Sequence, residues 1–216
     1  MIFTKKTPLI ALSASLALLS VSFPIYASQL DSDQDGIPDG AEAILGTDPL
    51  LADSDGDAIN DKNDQHPLQL INPIKVTNLA PVIIIRNGKA EDNFNPNSKK
   101  DVSDHIEIAL QNSSDLDITG IQVFLTIEDV TKGETEQYYR NLSHYNLPAH
   151  ANSTLHFDID GSTDWQRAGQ HMRMNPNSIF YRSSAAKNIT VQVVSEGGRS
   201  NIRKIHKDEG GAEEAD

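Results

Sequence analysis

The stretch Gly120-Ile-Gln-Val-Phe-Leu-Thr-Ile-Glu128 decides the fold. Ile121, Val123, Leu125 and Ile127 recur at every second position, the period of a strand with one face against a core. N-terminal to it, Asp104 to Ala109 alternates in the same way through Ile106 and Ile108, and Asn112-Ser-Ser-Asp115 supplies turn chemistry between the two runs. Farther out, Pro81-Val-Ile-Ile-Ile-Arg86 is a short β-branched run. C-terminal to it, Glu136–Arg140, Ser153–Ile159, Ser178–Arg182, Ile189–Ser195 and Asn201–His206 are further strand candidates. About eight short strands with polar turns predict a mainly β chain built as an antiparallel β-sandwich. No long helical period competes, although Asp164 to Met174 has room for a turn or two.

The rest of the chain is organised by charge. Of the net charge of −13, residues 28–64 carry −10, residues 65–206 carry −1 and residues 207–216 carry −4, while residues 1–27 carry +2. The strand-rich part is nearly neutral and shows no basic patch for nucleic acid. With no cysteine in the chain, disulfides, thiolate zinc sites, cysteine nucleophiles and an acylated lipoprotein anchor are excluded. Residues 1–27 read as a signal peptide: Lys5 and Lys6 form the positive start, Pro8 to Phe23 is mostly apolar, and Ala27 offers a small residue for cleavage. The mean hydropathy of −0.43 and the lack of a second long apolar run fit a mature protein outside the cytoplasm with no membrane span. Gln65 to Leu79, with Pro67 and Pro73, reads as a connector. Lys207 to Asp216, polar and carrying Gly210-Gly211, reads as a disordered tail.

The acidic segment holds two loops. The first is Asp31-Ser-Asp33-Gln-Asp35-Gly36-Ile37-Pro-Asp39-Gly-Ala-Glu42. Carboxylates at loop positions 1, 3, 5, 9 and 12, a glycine at 6 and a backbone carbonyl from Ile37 at 7 are what a calcium ion needs, since it takes six to eight oxygens in flexible geometry. The second, Asp53-Ser-Asp55-Gly-Asp57-Ala58-Ile59-Asn-Asp61-Lys-Asn-Asp64, repeats the first at an offset of 22 residues. Two departures predict that it is the weaker site. Ala58 stands where the first loop has glycine, at a cost of roughly 1 kcal/mol if φ is positive, and the shorter Asp64 replaces Glu42. The flanks do not suit an EF-hand, which has a full helix on each side. Only Ala41 to Leu45 is helix-compatible, Gly46 closes it, and Pro38 lacks an N–H.

With Gly46-Thr-Asp48-Pro49 between the loops and Asp61-Lys-Asn-Asp64-Gln-His-Pro67 closing them, Asp31–Asp64 resembles thrombospondin type-3 repeats of the bacterial kind. The resemblance implies chained calcium loops with two or more ions. The implied ligands are Asp31, Asp33, Asp35, the Ile37 carbonyl, Asp39 and Glu42, then Asp53, Asp55, Asp57, the Ile59 carbonyl, Asp61 and Asp64, with Asp48 as an extra candidate. Ile106 to Asp115, Ile121–Ile127, Tyr145-Asn-Leu-Pro148 and Ser153-Thr-Leu-His-Phe157 resemble bacterial Ig-like or CARDB-like sandwich domains. That resemblance implies an interaction or spacer domain without catalytic residues.

The expected division is a signal peptide (1–27), calcium repeats with little regular structure (28–66), a linker (67–79), an Ig-like β-sandwich (80–206) and an acidic tail (207–216). His144, His150 and His156 recur every six residues, which suits surface histidines better than paired zinc ligands. Trp165, Tyr138, Tyr139, Tyr145, Phe180 and Tyr181 are either core or a sugar-stacking platform, core being the commoner use. Asn112, Asn141, Asn152 and Asn188 open N-x-Ser/Thr sequons. No nucleophile elbow, HExxH, P-loop or Rossmann pattern nominates an enzyme. The expected role is a secreted, periplasmic or cell-surface calcium-binding protein. In it, a calcium-ordered arm positions a sandwich against an envelope or extracellular protein in adhesion or scaffolding. The alternative is a carbohydrate-binding module of the cell surface, with a glycan as partner, or an accessory subunit of a secreted enzyme.

Overall fold

A computed structural model describes residues 30–75, 77–95, 100–163, 170–195 and 199–209. The signal segment, Trp165 and most of the acidic tail lie outside the described residues. The first element is helix α1, Asp39–Leu45. The strands are β1 (Ile83–Asn95), β2 (Lys100–Asn112), β3 (Ile118–Asp129), β4 (Thr135–Leu147), β5 (Asn152–Asp158) and β6 (His171–Arg173), then, after helix α2 (Ile179–Arg182), β7 (Lys187–Ser195) and β8 (Arg199–Lys207). They form two four-stranded sheets, ordered β1-β2-β5-β6 and β4-β3-β7-β8. All pairings are antiparallel except the short parallel β5–β6 contact.

The alternation in β3 is realised side chain by side chain. Ile121, Val123, Leu125 and Ile127 are buried and join Ile106, Ile108 and Leu110 of β2, Leu155 and Phe157 of β5, and Ile189, Val191 and Val193 of β7 in one core. Residues from both sheets fill it, so the sheets pack face to face. Phe124, on the opposite face of β3, is buried as well. It packs with Val194, Leu70 and Ile74 in a second, smaller cluster. The connector is therefore a strap across the outer face of the second sheet, and the Asn72 side-chain amide donates to Gln192 Oε1 at 2.8 Å.

Ser178–Arg182, read as a strand, contains the one-turn helix α2 instead. The Ser178 hydroxyl caps it by accepting from the Phe180 N–H at 3.1 Å. The buried carboxylate of Glu136 accepts from the Ile179 N–H, the Ser178 hydroxyl and the Tyr138 hydroxyl. Those bonds outweigh the strand preference of Ile-Phe-Tyr. The described part of the span read as helical, Asp164 to Met174, is strand β6 beside β5, where Met172 is buried in the common core.

Candidate metal centre

The acidic loops fold through their own carboxylates. In the first, Asp31 Oδ2 accepts from the Gly36 N–H at 3.1 Å, Asp33 Oδ1 from Asp35 at 3.1 Å and Asp35 Oδ1 from Ile37 at 2.6 Å. In the second, Asp53 accepts from Gly56 and Ala58, each at 2.8 Å, Asp55 from Asp57 at 3.1 Å and Asp57 from Ile59 at 2.7 Å. Aspartate suits this work because its short carboxylate reaches the backbone N–H two residues on. The repeat extends to position nine. Ser32 donates its N–H and hydroxyl to the two oxygens of Asp39 at 2.8 and 2.7 Å, and Ser54 does the same to Asp61 at 2.8 and 2.7 Å.

Backbone conformation repeats too. Gly36 has φ 94° and Ala58, its equivalent, φ 73°, so the alanine is held in the left-handed region as the sequence foretold. A second left-handed position lies two residues earlier, with Gln34 at φ 63° and Gly56 at φ 93°. Each loop thus has one glycine and one non-glycine at its two left-handed positions, in opposite order. Gly56 is fixed by proximity as well as by φ, because an added Cβ would collide with the Tyr139 carbonyl oxygen of β4.

Three carboxylate clusters result: Asp31, Asp33 and Asp35; Asp53, Asp55 and Asp57; and Asp35, Glu42 and Asp61. The third joins the loops, since Asp61 comes from the second and the other two from the first. One oxygen each of Asp31, Asp33, Asp35, Glu42, Asp55 and Asp64 is buried without a hydrogen-bond donor. Burial, reinforced by the charges of Asp33 and Asp35, pushes Glu42 up to about 7. Burial likewise lifts Asp55 to about 7, with Asp57, Asp53 and Asp64 adding repulsion, and Asp61 to about 6, with Asp35 and Asp53 contributing. Orphaned buried oxygens and mutually repelling carboxylates are what a hard divalent cation relieves. The all-oxygen donor set fits calcium.

Of the sequence-read ligands, Asp31, Asp33, Asp35, Glu42, Asp53, Asp55, Asp57 and Asp61 fall in these clusters. Asp64 stands at the side of the second, with Oδ1 accepting from the His66 N–H at 2.8 Å and Oδ2 buried. The carboxylate of Asp39 is engaged by Ser32. Ile37 and Ile59 sit at the turns, each N–H bonded to the aspartate two residues before. Asp48 serves otherwise, for both its oxygens meet the guanidinium of Arg173 in a buried ion pair.

That pair belongs to an interface the sequence did not disclose. Arg140 of β4 donates to the Ser54 carbonyl at 2.9 Å and the Asp55 carbonyl at 3.2 Å. The Tyr139 N–H donates to the Asp55 carbonyl at 2.7 Å and the Gln137 N–H to that of Leu68 at 2.9 Å. Asn175 and Asn177 donate to the Gly46 and Thr47 carbonyls at 2.6 and 2.7 Å. The repeats thus lie against the free side of β4. No periodicity marks Arg140 or Arg173 for this task, because their partners lie 85 and 125 residues away.

Tyr138, Tyr145 and Phe180 belong to the core, and Tyr139 and Tyr181 are partly buried against the two clusters. Asn112 is buried, its side-chain amide donating to the Leu116, Leu147 and Pro148 carbonyls, which removes it as a glycosylation site. His144 is exposed, His150 faces Asp115 at 2.9 Å, and His156 lies on β5 facing Glu107.

Residues 31–52 match the family model of the bacterial TSP3 repeat, a calcium-binding type. No curated protein matches the chain in sequence. Among solved structures, the X-ray structure of a Northeast Structural Genomics Consortium target is 12% identical over 61% of this chain and 89% of its own, with a TM-score of 0.33. An alkylpurine DNA glycosylase of Pseudomonas fluorescens is 13% identical, over 59% of this chain and 31% of its own, with a TM-score of 0.30. A β-glucosidase from Listeria innocua is 16% identical over 51% and 14%, with a TM-score of 0.26. The chain therefore spans less than a third of the length of either enzyme.

Proposed function

We propose that this is a non-enzymatic calcium-binding protein of the cell exterior or envelope, in which calcium holds the repeats against a two-sheet interaction domain. The observation that carries the reading is the set of six orphaned, buried carboxylate oxygens within the two loops, in a segment matching a calcium-binding repeat. Asp31, Asp33, Asp35, Glu42, Asp61 and the Ile37 carbonyl serve one ion. Asp53, Asp55, Asp57, Asp64 and the Ile59 carbonyl serve a second. Asp39 acts by holding Ser32 in place. Calcium supplies positive charge and oxygen coordination here, and the chain supplies the loop shape.

The β-domain fits an immunoglobulin-like sandwich. Its sheets pair β1 and β2 with β5, and β4 and β3 with β7 and β8, the A-B-E and C′-C-F-G arrangement of such folds. Among the described residues no helix is long and apolar enough to cross a membrane. The partner is an envelope or extracellular protein. Affinity is set for the calcium-rich exterior, in the range of about 10⁻⁴ to 10⁻³ M, so the ion is a standing structural part.

Calorimetric titration of the chelator-stripped chain with calcium is expected to show two or more ions. Limited proteolysis is expected to cut residues 31–64 only in chelator. No calcium uptake, or the same cleavage pattern with and without chelator, overturns the reading.

A further inference from the structure

The outer face of the β1-β2-β5-β6 sheet carries a second cluster of a different chemistry. His105 and Glu107 stand two residues apart on β2, hence on one face. His156 on β5 pairs directly across from Glu107. His105 Nε2 lies 3.2 Å and His156 Nδ1 lies 3.4 Å from the same oxygen, Oε1 of Glu107. One ligand atom from each of the three residues lies within 4.8 Å of the others. All three side chains are only partly exposed. Beside them on β6, His171 pairs with His156 in register, and their rings stack with centroids 4.5 Å apart and planes 8° from parallel. His171 Nδ1 in turn faces Asp158 Oδ2 at 3.4 Å, and the other oxygen of Asp158 is buried with no donor.

We propose that His105, Glu107 and His156 form a binding site for a divalent transition-metal ion of the zinc class, independent of the calcium loops. Two imidazoles and one carboxylate are a poor donor set for calcium, which wants oxygen, and a good one for zinc. Three protein ligands leave a fourth position of the tetrahedron toward solvent. The site is stiff because its ligands hang from two strands locked by a hydrogen-bonded ladder. The stacked ring of His171 restrains His156 from the far side, and Asp158 orients His171. A metal ion takes imidazole nitrogens only in their unprotonated form, so binding competes with protons and uptake is expected to release them.

The test uses the full mature chain saturated with calcium, which occupies the acidic loops. Zinc chloride is titrated by calorimetry in two buffers of different ionisation enthalpy, and cobalt(II) absorption reports the geometry. One zinc per chain is expected, with proton release and the absorption of a tetrahedral cobalt centre. His105→Ala combined with His156→Ala is expected to weaken zinc binding at least about tenfold and to leave calcium stoichiometry unchanged. Glu107→Gln, which keeps the shape of the side chain, is expected to weaken it as well. Absence of zinc binding to the calcium-loaded chain overturns the proposal, and so does binding that the histidine pair and Glu107→Gln leave intact. Neither result bears on the calcium reading, which rests on other residues and another titrant.

Discussion

The two acidic loops are copies in sequence and differ in what holds them. The second is pressed against β4, with the carbonyls of Ser54 and Asp55 on Arg140 and Gly56 flush against the Tyr139 carbonyl. The first touches β4 through none of these bonds. It is joined to the second through the cluster of Asp35, Glu42 and Asp61, and to the β-domain through the segment after α1, where Asp48 meets Arg173. One repeat is thus templated by the sandwich and the other by its neighbour. A tandem pair gains a hierarchy of support that identical motifs do not advertise.

The largest expected effect comes from removing the template. Arg140→Ala is expected to lower stability by about 3 kcal/mol, since a buried guanidinium bonded to several carbonyls is lost. It should weaken calcium at the second loop more than at the first. Thermal unfolding and calcium titration of the variant check this, and equal losses at both loops break the comparison. Next comes the junction. Asp61→Asn is expected to weaken calcium at both loops, by about tenfold or 1.4 kcal/mol each, whereas Asp64→Asn affects the second alone. Titrations of the two variants side by side sharpen or remove the hierarchy.

Acidity acts on both loops together. Glu42 in the first and Asp55 in the second are both lifted to about 7, and Asp61 between them to about 6. The calcium-free fold binds these protons more tightly than the unfolded chain does, so the stability they contribute is fully present below the ordinary carboxylate range and is lost as pH rises through about 6 to 7. Calcium competes with those protons. Its affinity is therefore expected to climb from pH 5.5 to 7.5 and then level off, at both loops alike, as titrations across that range will show. The smallest effects are at the left-handed residues. Ala58→Gly and Gln34→Gly are each expected to stabilise by up to about 1 kcal/mol, measured by thermal unfolding in calcium. A gain at position 58 alone restores the view that only the second loop is strained.

That view is what the sequence supports by itself, and its shortfall is instructive. Ala58 stood out because a known motif places glycine there, while Gln34 did not, because the motif leaves that position open. The expected weakness of the second loop therefore rests on Asp64 against Glu42, and not on backbone strain. Strands with a clean two-residue period, such as β3, were legible from residue order because burial of one face dictates it. The ends of β1 and β4 ran beyond their apolar runs, because ladder bonds continue where side chains turn polar. The helix α2 hid inside an apolar triplet whose fate is settled by Ser178 and a glutamate 42 residues away. The carboxylate clusters within each loop were readable because their ligands are local, whereas the one that joins Asp61 to Asp35 and Glu42 was not. The docking of the repeats and the histidine cluster were not, since both depend on strand register.

The free side of β4 has a consequence for how this protein behaves among its own copies. An exposed strand edge is a template on which another chain can add a strand. Here the Tyr139 and Gln137 N–H groups are taken by the carbonyls of Asp55 and Leu68, so the calcium repeats and the strap shield that edge from self-association. Stripping the ion is expected to loosen the guard along with the loops, so aggregation through β4 at high protein concentration is the outcome to look for by light scattering in chelator.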